Sequence, residues 1–398
     1  MAPPRDGPNL GAMRERRLSG IPGFAIDRVA AEAGADPDVL RLENLDTDLA
    51  PPTAAIEATR RAIGHDDDNS YLPFTGRDRL RAAVAARART QTSIDYDSAD
   101  VVITCGGTEG ILDALFALTV PGDEVVVADP TYAGMIYRPR LVGAVPRFVP
   151  FVIDGGEWRL DLDALSAAVG PKTRVIFLMN PSIPSGAMLN AAEWNAVATL
   201  CRERDVWLLY NAAMERIVFD RRPVVHPATL PGMTERTVTI GSVSKEYRMI
   251  GWRLGWVYGP SSVIADVALA HIYNTATATG IAQAGAVAAL DESETEFAEC
   301  VSIGEQRRDV MTRELAQYET VPAAGGWSQL LDVGALGFDS MTASKLLLEK
   351  GRVAATPMRD WGDVNGDRFV RFVFSNEPVE RLRGLGDRTL QALGAAGR

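Results

Sequence analysis

A single lysine, Lys245, lies in the stretch GSVSKEYRMIGWRLGWVYG, residues 241–259, between small hydroxyl residues and an arginine. A lysine that follows a strand can form a Schiff base with a carbonyl compound when burial keeps its amine partly deprotonated. Arg253, eight residues further on, offers a rigid fork of N–H donors that suits a phosphate group. The hydroxyls of Ser242 and Ser244 can donate to the same group. This spacing predicts a covalently held ligand that carries a phosphate.

A second anion-binding pattern lies between an apolar strand and a helix, in CGGTEG at residues 105–110. Free backbone N–H groups at the start of a helix can cradle a phosphate. Each signal alone is weak, because a lone SxxK motif is usually a surface lysine and a lone GG-T is usually a turn. Together, and in this order, they predict one phosphate site built from both segments.

The elements that must position these residues alternate from about residue 98 onward. Short apolar runs such as VVIT (101–104), EVVVAD (124–129) and TVTIGS (237–242) predict strands, and the segments between such runs predict helices. This alternation predicts an α/β domain whose mostly parallel sheet is buried on both faces. In such sheets ligands bind at the carboxyl ends of the strands. Residues at or just after the predicted strand ends are Gly106, Asp129, Asn180, Asn211 and Ser242.

Three parts of the chain are predicted. Residues 1–45 form an N-terminal arm and a helix that joins the small domain, and the Pro-, Gly- and Arg-rich residues 1–17 predict a mobile segment. Residues 46–285 form the large domain. Residues 286–398, where helices flank the strand-like runs GGWSQLLDVG and RFVRFVFS, form a smaller α+β domain.

The composition limits the partners and the compartment. The chain has 398 residues, 46% of them hydrophobic, and a formal net charge of -11, which argues against nucleic acid or an anionic membrane as a partner. Three widely spaced cysteines indicate a reducing compartment, and three histidines form no zinc-binding pair. No run of about 18 apolar residues is present. We therefore expect a cytoplasmic protein with no metal, no membrane partner and no nucleic acid.

Several segments resemble one enzyme family. SVSKEYRMIGWRLGW, residues 242–256, resembles the pyridoxal-phosphate lysine motif of the fold-type-I, class I and II aminotransferases. The resemblance covers nearly the whole chain and implies a large domain with a mostly parallel seven-stranded sheet, a smaller α+β domain, pyridoxal phosphate as cofactor and a homodimer with shared active sites. The other segments that carry it are NSYLPFTGRDRLRAAVA (69–85), DPTYAGM (129–135), NPSIPSG (180–186) and VRFVFS (370–375).

The resemblance assigns roles to individual residues. Lys245 would bind the cofactor covalently and then move the α-proton of the substrate. Tyr132 would stack on the pyridine ring, and Tyr71 would reach the phosphate of the neighbouring subunit. Arg371 would clamp the α-carboxylate of an amino-acid substrate with two hydrogen bonds. The residues that would hold the phosphate are Gly107, Thr108, Ser242 and Arg253.

Four positions depart from the family pattern. Asn211 stands where the family has an aspartate that faces the ring nitrogen, so only a hydrogen bond, and a weaker electron sink, is expected. Met214 replaces a tyrosine that bonds the phenolic oxygen, and Ile183 replaces an asparagine that touches this oxygen and the substrate carboxylate. Leu45 aligns with a glycine near that carboxylate. Asn180, at the start of the NPSIPSG loop, remains polar and is predicted to contact the cofactor.

These departures leave the reaction open. The first hypothesis is an aminotransferase that exchanges amino groups between an amino acid and a 2-oxo acid. No Lys or Arg occurs between Arg253 and Arg307, which disfavours a dicarboxylate substrate. The second is another reaction of the same cofactor: β- or γ-elimination or replacement, ring formation from a sulfonium substrate, or oxygen-dependent oxidation. A ligand-sensing domain fused to a DNA-binding module is disfavoured by the acidic charge and by an upstream segment of only about 30 residues. An inactive relative is disfavoured by Lys245, Arg253 and Arg371.

Overall fold

The structure is a computed structural model that describes residues 18–23, 25–291 and 294–395. The predicted mobile segment, residues 1–17, lies outside the described residues. Within them, no helix is long and apolar enough to span a membrane.

The described chain contains thirteen β-strands and thirteen α-helices. The strands are β1 (Leu40–Arg41), β2 (Val101–Thr104), β3 (Glu124–Asp129), β4 (Val145–Asp154), β5 (Glu157–Leu160), β6 (Thr173–Met179), β7 (Trp207–Asn211), β8 (Thr237–Ser242), β9 (Gly255–Tyr258), β10 (Ser328–Asp332), β11 (Val353–Ala354), β12 (Thr356–Pro357) and β13 (Phe369–Val373). The helices are α1 (Ala25–Ala33), α2 (Thr53–Ile63), α3 (Asp78–Thr92), α4 (Gly106–Leu118), α5 (Ala133–Val142), α6 (Leu162–Ala168), α7 (Ala191–Glu203), α8 (Ser261–Asn274), α9 (Gly280–Leu290), α10 (Glu294–Glu314), α11 (Ser340–Gly351), α12 (Val379–Leu382) and α13 (Leu385–Leu393).

The large sheet has eight strands in the order β2-β9-β8-β7-β6-β3-β4-β5. The strands from β8 to β4 in this order pair in parallel, whereas β9 pairs antiparallel with β2 and with β8, and β5 pairs antiparallel with β4. Every residue of β2 and of β8 is buried, as expected for a sheet covered on both faces. The predicted α/β class with a mostly parallel sheet is confirmed.

The predicted count of seven strands is wrong, because the sheet described here has eight. The sequence pattern did not single out β4 or β5. Pro146 and Pro150 discourage a strand assignment, but both lie in the half of β4 that pairs only with β3, where a missing N–H leaves no ladder bond unmade. The outer half of β4 then turns back into β5 through Gly155 and Gly156, whose φ values of 58° and 78° suit a tight hairpin turn.

A smaller unit combines both ends of the described chain. Strands β10, β13 and β12 form an antiparallel sheet, and β1 pairs in parallel with β11. Helix α1 packs against β11 and β12, with Val29, Val39 and Ala354 in a shared apolar cluster. The N-terminal helix therefore lies with the C-terminal elements. The domain boundaries at residues 45 and 285 stay predictions.

The parallel strands bring their carboxyl ends to one edge of the large sheet. There Asn211, the last residue of β7, lies opposite Met179 of β6 and Ile240 of β8. Ser242, the last residue of β8, lies opposite Gly255 of β9. Residues that are far apart in the sequence thus meet at this edge.

Candidate active site

A cavity of about 350 Å³ opens at this edge, between the large sheet and the smaller unit. Ten of the twelve residues predicted for the site line it: Leu45, Gly107, Thr108, Tyr132, Ile183, Asn211, Ser242, Lys245, Arg253 and Arg371. The other two, Tyr71 and Asn180, do not line it. The edge of the sheet predicted for the ligand is therefore where the structure gathers most of these side chains.

Lys245 is half-buried on the wall of this cavity, three residues after the end of β8. Its Nζ donates to the backbone carbonyl of Leu45 at 2.5 Å and lies 5.0 Å from the ring centroid of Trp327. Burial lowers the pKa of the amine from 10.5 to about 7, and the positive charges of Arg371 and Arg253 act in the same direction. A substantial fraction of the amine is therefore neutral near pH 7 and able to attack a carbonyl.

The start of helix α4 forms an anion cradle with Arg253. Among the described residues, no side chain caps this helix. Its first backbone N–H groups can therefore donate to an external acceptor. Gly106 has a φ of +78°, and a Cβ built there would lie 2.9 Å from Nη2 of Arg253. A Cβ on Gly107 would lie 3.2 Å from Cγ2 of Ile240. The two glycines therefore let the helix N-terminus, the arginine and the strand end approach one another.

Two serines complete the cradle. The Oγ of Ser242 lies 2.9 Å from the Oγ of Ser244, and it accepts the backbone N–H of Ser244 at 3.0 Å. Nη1 of Arg253 donates to the backbone carbonyl of Ile250 at 2.8 Å and lies 3.5 Å from the Oγ of Ser244. The guanidinium is thus held beside the hydroxyls while other N–H groups of its fork remain for an anion.

Aromatic rings form another wall. The rings of Tyr132 and Trp361 meet edge to face with centroids 5.8 Å apart. Both line the cavity. The guanidinium carbon of Arg371 lies 4.8 Å from the ring centroid of Trp361. Trp361 therefore links the aromatic wall to the predicted carboxylate-binding arginine.

Arg371, on β13, is completely buried. Its Nη2 donates to the backbone carbonyl of Glu43 and to the Oγ1 of Thr356, the latter at 3.2 Å. Its Nε has no hydrogen-bond partner among the described residues. Burial lowers the pKa of the guanidinium to about 9. A buried cation with an unpaired donor at the cavity wall suits an anionic partner such as a carboxylate.

The positions that depart from the family pattern have different surroundings. Asn211 is buried at the cavity wall, and its Oδ1 accepts the backbone N–H of Ala213 at 3.1 Å. Ile183 adds an apolar contact to the same cavity. Met214 is fully buried in the core and does not line the cavity. A Cβ on Gly326 would lie 3.7 Å from its Cε, so the thioether packs toward the smaller unit.

Asn180 and Tyr71 occupy places outside the cavity. Asn180 is fully buried, and its Oδ1 accepts the backbone N–H of Leu189 at 2.9 Å, so its side chain fixes the loop of residues 180–189. Tyr71 is 85% exposed on the surface of the single chain. In one chain, neither residue reaches the cavity.

Some cavity residues were not predicted. Trp361 lies in a loop, and no pattern in the sequence singles it out. Ile26 and Asp27 of α1, and Asn44 next to Leu45, also line the cavity. The predicted packing of the N-terminal helix on the small domain was the one available signal for these residues, but it did not indicate which side chains face the ligand.

A separate cluster of ionisable groups lies outside the cavity. The carboxylates of Glu109 and Asp113 and the imidazole of His271 place ligand-capable atoms within 4.8 Å of one another. Nδ1 of His271 lies 3.0 Å from Oε1 of Glu109, and the Oγ1 of Thr275 donates to the same oxygen. These hydrogen bonds account for the cluster, and the expected absence of a metal stays a prediction.

The chain matches the family described as aminotransferase class I and II over residues 37–384. A probable N-succinyldiaminopimelate aminotransferase of Mycobacterium tuberculosis is 32% identical over 357 residues, which cover 85% of this chain and 90% of the relative. An arginine–pyruvate transaminase of Pseudomonas aeruginosa is 28% identical over 393 residues, which cover 96% and 98%. The solved structure of N-succinyldiaminopimelate aminotransferase from Mycobacterium tuberculosis is similar with a TM-score of 0.89 and 31% identity, covering 96% of this chain and 100% of that chain.

The architecture and the lysine at the strand edge place the protein among the fold-type-I enzymes that use pyridoxal phosphate. Within that class, the chain belongs to the class I and II aminotransferases. It is a pyridoxal-phosphate-dependent amino-acid aminotransferase, and the predictions of family, cofactor and activity are confirmed. The relatives named here are aminotransferases or transaminases, so they lend no support to a different reaction of the same cofactor.

The residues present fit this cofactor. The uncapped start of α4 with Arg253 suits its phosphate, and the amine of Lys245 suits its carbonyl. Tyr132 offers an aromatic face beside them. When bound, pyridoxal phosphate supplies the carbonyl that takes up the amino group and a ring that withdraws electrons from the α-carbon.

Proposed function

We propose that this aminotransferase acts on an α-amino acid whose side chain carries no carboxylate. The observation that carries the proposed roles is that the amine of Lys245 and the guanidinium of Arg371 line the same cavity but differ in their properties. Lys245 has an amine that is partly neutral near pH 7, and Arg371 is a buried guanidinium with an unpaired Nε. The first suits proton transfer and the second suits a carboxylate.

Lys245 would hold the cofactor covalently, and its Nζ would take the α-proton of the substrate. A base works best when its pKa is near the working pH, and burial brings the pKa of this amine to about 7. The carbonyl of Leu45 accepts a hydrogen bond from Nζ and so fixes where the amine lies. The same Nζ would return the proton to the carbon atom that receives the amino group.

Arg371 orients the substrate through its α-carboxylate. The bonds from Nη2 to Glu43 and Thr356 fix the plane of the guanidinium, and the remaining donors can hold two carboxylate oxygens. Trp361, stacked on this arginine, keeps water from that face. The α-carbon is thereby held at the Lys245 side of the cavity.

The charges that line the cavity support the proposed substrate class. Lys245, Arg253 and Arg371 have roles at the proton, the phosphate and the α-carboxylate, and no further Lys or Arg lines the cavity among the described residues. The remaining charged residue on the wall is an acid, Asp27. A second carboxylate on the substrate would find no further cation among the described residues that line the cavity. The named relatives act on different amino acids, so they do not choose among donors.

We also propose a homodimer that shares its active sites, in a cytoplasmic setting. Tyr71 is 85% exposed and Phe74 is 49% exposed, next to a groove of about 810 Å³ between α2, α3 and α9. This exposure supports a partner subunit that covers Tyr71 and receives its hydroxyl at the phosphate site. Free Cys105, Cys201 and Cys300 support a reducing compartment.

A panel of amino acids tests the proposed function. The purified protein, loaded with pyridoxal phosphate, is mixed with each amino acid in turn, and the cofactor spectrum and the released 2-oxo acid are followed. Conversion of the cofactor to its amine form with release of one equivalent of 2-oxo acid names the donor. Glutamate and aspartate are expected to be poor donors relative to monocarboxylic amino acids. Preference for either dicarboxylate would overturn the substrate class, and elimination products without a 2-oxo acid from transfer would overturn the reaction.

A further inference from the structure

Asn211 has only one side-chain group left for a ligand. Its Oδ1 accepts the backbone N–H of Ala213 at 3.1 Å, and a backbone N–H can bond only to the oxygen end of the amide. The orientation of the amide is therefore fixed. Turning it over would set the NH₂ group against the N–H of Ala213, two donors facing each other. The Nδ2 group, a donor without lone pairs to offer, is the part of this residue available to the cavity.

Among the described residues, no carboxylate stands in for the missing charge at Asn211. Glu215, four residues later, is buried away from the cavity, where Oε1 accepts the hydroxyl of Tyr210 at 2.8 Å and Oε2 accepts Nε2 of Gln91 at 3.2 Å. Burial also raises the pKa of this carboxyl to about 8. Its hydrogen bonds and its position keep it from serving as a counter-ion for a ligand in the cavity.

The other acids near the strand ends are also engaged elsewhere. Asp129 ends β3, is fully buried, and its Oδ2 accepts backbone N–H groups of residues 363–365, among them Val364 at 2.8 Å. Asp27 is the one carboxylate among the described residues that lines the cavity, and it belongs to α1. Asn211 belongs to a different element, at the end of β7. A ring nitrogen beside Asn211 therefore meets a neutral donor rather than an anion.

We propose that Asn211 donates a hydrogen bond from Nδ2 to the ring nitrogen of the cofactor and holds this nitrogen unprotonated. The inference rests on the proposed function and on the resemblance to the aminotransferases, which implies that the ring nitrogen lies against Asn211. A pyridinium N–H needs an acceptor, and Nδ2 offers none, whereas an unprotonated pyridine nitrogen accepts this bond directly. Asparagine in place of the family's aspartate therefore changes the protonation state of the ring nitrogen, in addition to weakening a contact.

The protonation of the ring nitrogen sets how strongly the ring withdraws electrons from the α-carbon. A neutral pyridine withdraws less than a pyridinium, so the enzyme relies more on the placement of Lys245 and Arg371 for proton removal. A weaker sink also stabilises less charge at the α-carbon. Asn211 is in this sense a residue that tunes the reaction through the cofactor, without touching the substrate.

The test measures the nitrogen itself. The holoenzyme is prepared with pyridoxal phosphate labelled with ¹⁵N in the ring, and the ¹⁵N chemical shift is recorded at neutral pH without substrate. The unprotonated pyridine and the pyridinium have well-separated shifts, which free cofactor provides as references. We expect the resonance at the pyridine position. A pyridinium resonance in the unaltered enzyme would overturn the proposal, whatever the variants do.

Two variants sharpen the result. Asn211→Asp is expected to move the resonance to the pyridinium position, because a carboxylate at this place stabilises the added proton. Asn44→Asp adds the same charge at an exposed place on the cavity wall and is expected to leave the resonance at the pyridine position. Equal shifts in both variants would show that the charge of the cavity as a whole, rather than the contact at Asn211, controls the nitrogen.

This readout separates the inference from the proposed function. A protein that binds the labelled cofactor and shows a pyridinium can still be the proposed aminotransferase, and only the role of Asn211 fails. A protein with a neutral ring nitrogen that prefers dicarboxylate donors keeps the role of Asn211 and loses the proposed substrate class. Circular dichroism and the amount of bound cofactor show whether Asn211→Asp folds and loads normally.

Discussion

The amine of Lys245 donates a 2.5 Å hydrogen bond to the backbone carbonyl of Leu45, a residue 200 positions earlier in the chain. The lysine belongs to the large sheet, whereas Leu45 follows β1, which pairs with β11 of the smaller unit. The position of the proposed proton carrier thus depends on both parts of the structure. A backbone carbonyl can serve this purpose with leucine as well as with glycine, which fits the departure at position 45.

Cofactor capture by the cofactor-free enzyme should follow the titration of Lys245. The neutral amine attacks the carbonyl, and its pKa is lowered to about 7, so the capture rate should rise with pH with a midpoint near 7 and level off only above it. Borohydride reduction and mass measurement at successive pH values give this rate. Lys245→Ala should show no covalent adduct and no turnover. A rise centred near the ordinary lysine value of 10.5 would contradict the lowered pKa.

Gly106→Ala should weaken cofactor binding about tenfold or more. The added Cβ would lie 2.9 Å from Nη2 of Arg253 and would push the guanidinium out of the cradle. Gly122→Ala is the matched control, because Gly122 also has a positive φ, +97°, but its Cβ would meet nothing within 4 Å. Both variants should lose about 1–2 kcal/mol of folding stability, since alanine is disfavoured at positive φ. Fluorescence titration with pyridoxal phosphate should separate them, and equal affinities would refute the cradle.

Arg371→Leu should lower kcat/KM for the amino-acid donor by about 100-fold, close to the loss of about 2.7 kcal/mol expected for two charge-assisted hydrogen bonds. Cofactor binding should change little. Arg368→Leu is the control: this arginine lies just before the same strand, is half-exposed and pairs with Asp332. Steady-state kinetics with saturating 2-oxo acid measure the difference. Similar kinetics for the Arg371 variant and the unaltered enzyme would show that Arg371 does not bind the substrate carboxylate.

Asn211→Asp should raise the rate of α-proton removal about tenfold, or about 1.4 kcal/mol in barrier height, because a charged partner strengthens the electron sink. Stopped-flow absorbance after mixing the holoenzyme with its donor follows this step. Asn190→Asp, an amide-to-acid change at the N-cap of α7, keeps an acceptor for the N–H groups of Ala192 and Glu193 and should leave the rate unchanged. An unaltered rate in Asn211→Asp would mean that the ring nitrogen lies elsewhere.

Tyr71→Phe should weaken cofactor binding about 5- to 10-fold if the hydroxyl reaches the phosphate of a partner subunit, since one hydrogen bond to a charged group is lost. Tyr273→Phe is a close control, because both tyrosines are 85% exposed in the single chain. Cofactor titrations should be run with the mass of the assembly measured by light scattering. A monomeric protein with full cofactor affinity would refute the shared site.

The repetitive part of the fold could be predicted from the sequence. Strands β2, β3 and β8 are rich in valine, isoleucine and threonine, and their ends fall where the pattern places them. Strand β4 was not predicted because proline usually interrupts a strand. Its prolines lie in the part of β4 that pairs only with β3, where their missing N–H groups leave no ladder bond unmade. Whether a strand has a neighbour on both sides depends on the whole sheet and cannot be predicted from a short stretch of sequence.

The site was predictable where function leaves a local motif. Lys245 and Arg253 lie in one short segment with a fixed spacing, and both line the cavity. Trp361 reaches the cavity through a loop, and its contacts with Tyr132 and Arg371 depend on how two parts of the chain pack. Asn180 shows the converse case: it is a polar residue in a motif-like loop, but its Oδ1 accepts the backbone N–H of Leu189 and it does not line the cavity.

The bond between Arg371 and the carbonyl of Glu43 joins residues 328 positions apart, and β1 pairs with β11 across a similar interval. On a ribosome that makes the chain from its N-terminus, β7 with Asn211 and the segment after β8 with Lys245 emerge well before β13. The phosphate cradle can therefore form on an unfinished chain, but the place for the substrate carboxylate is completed only after β13 has been made. A nascent chain that stops early would hold the cofactor's anchor without any means of selecting an amino acid.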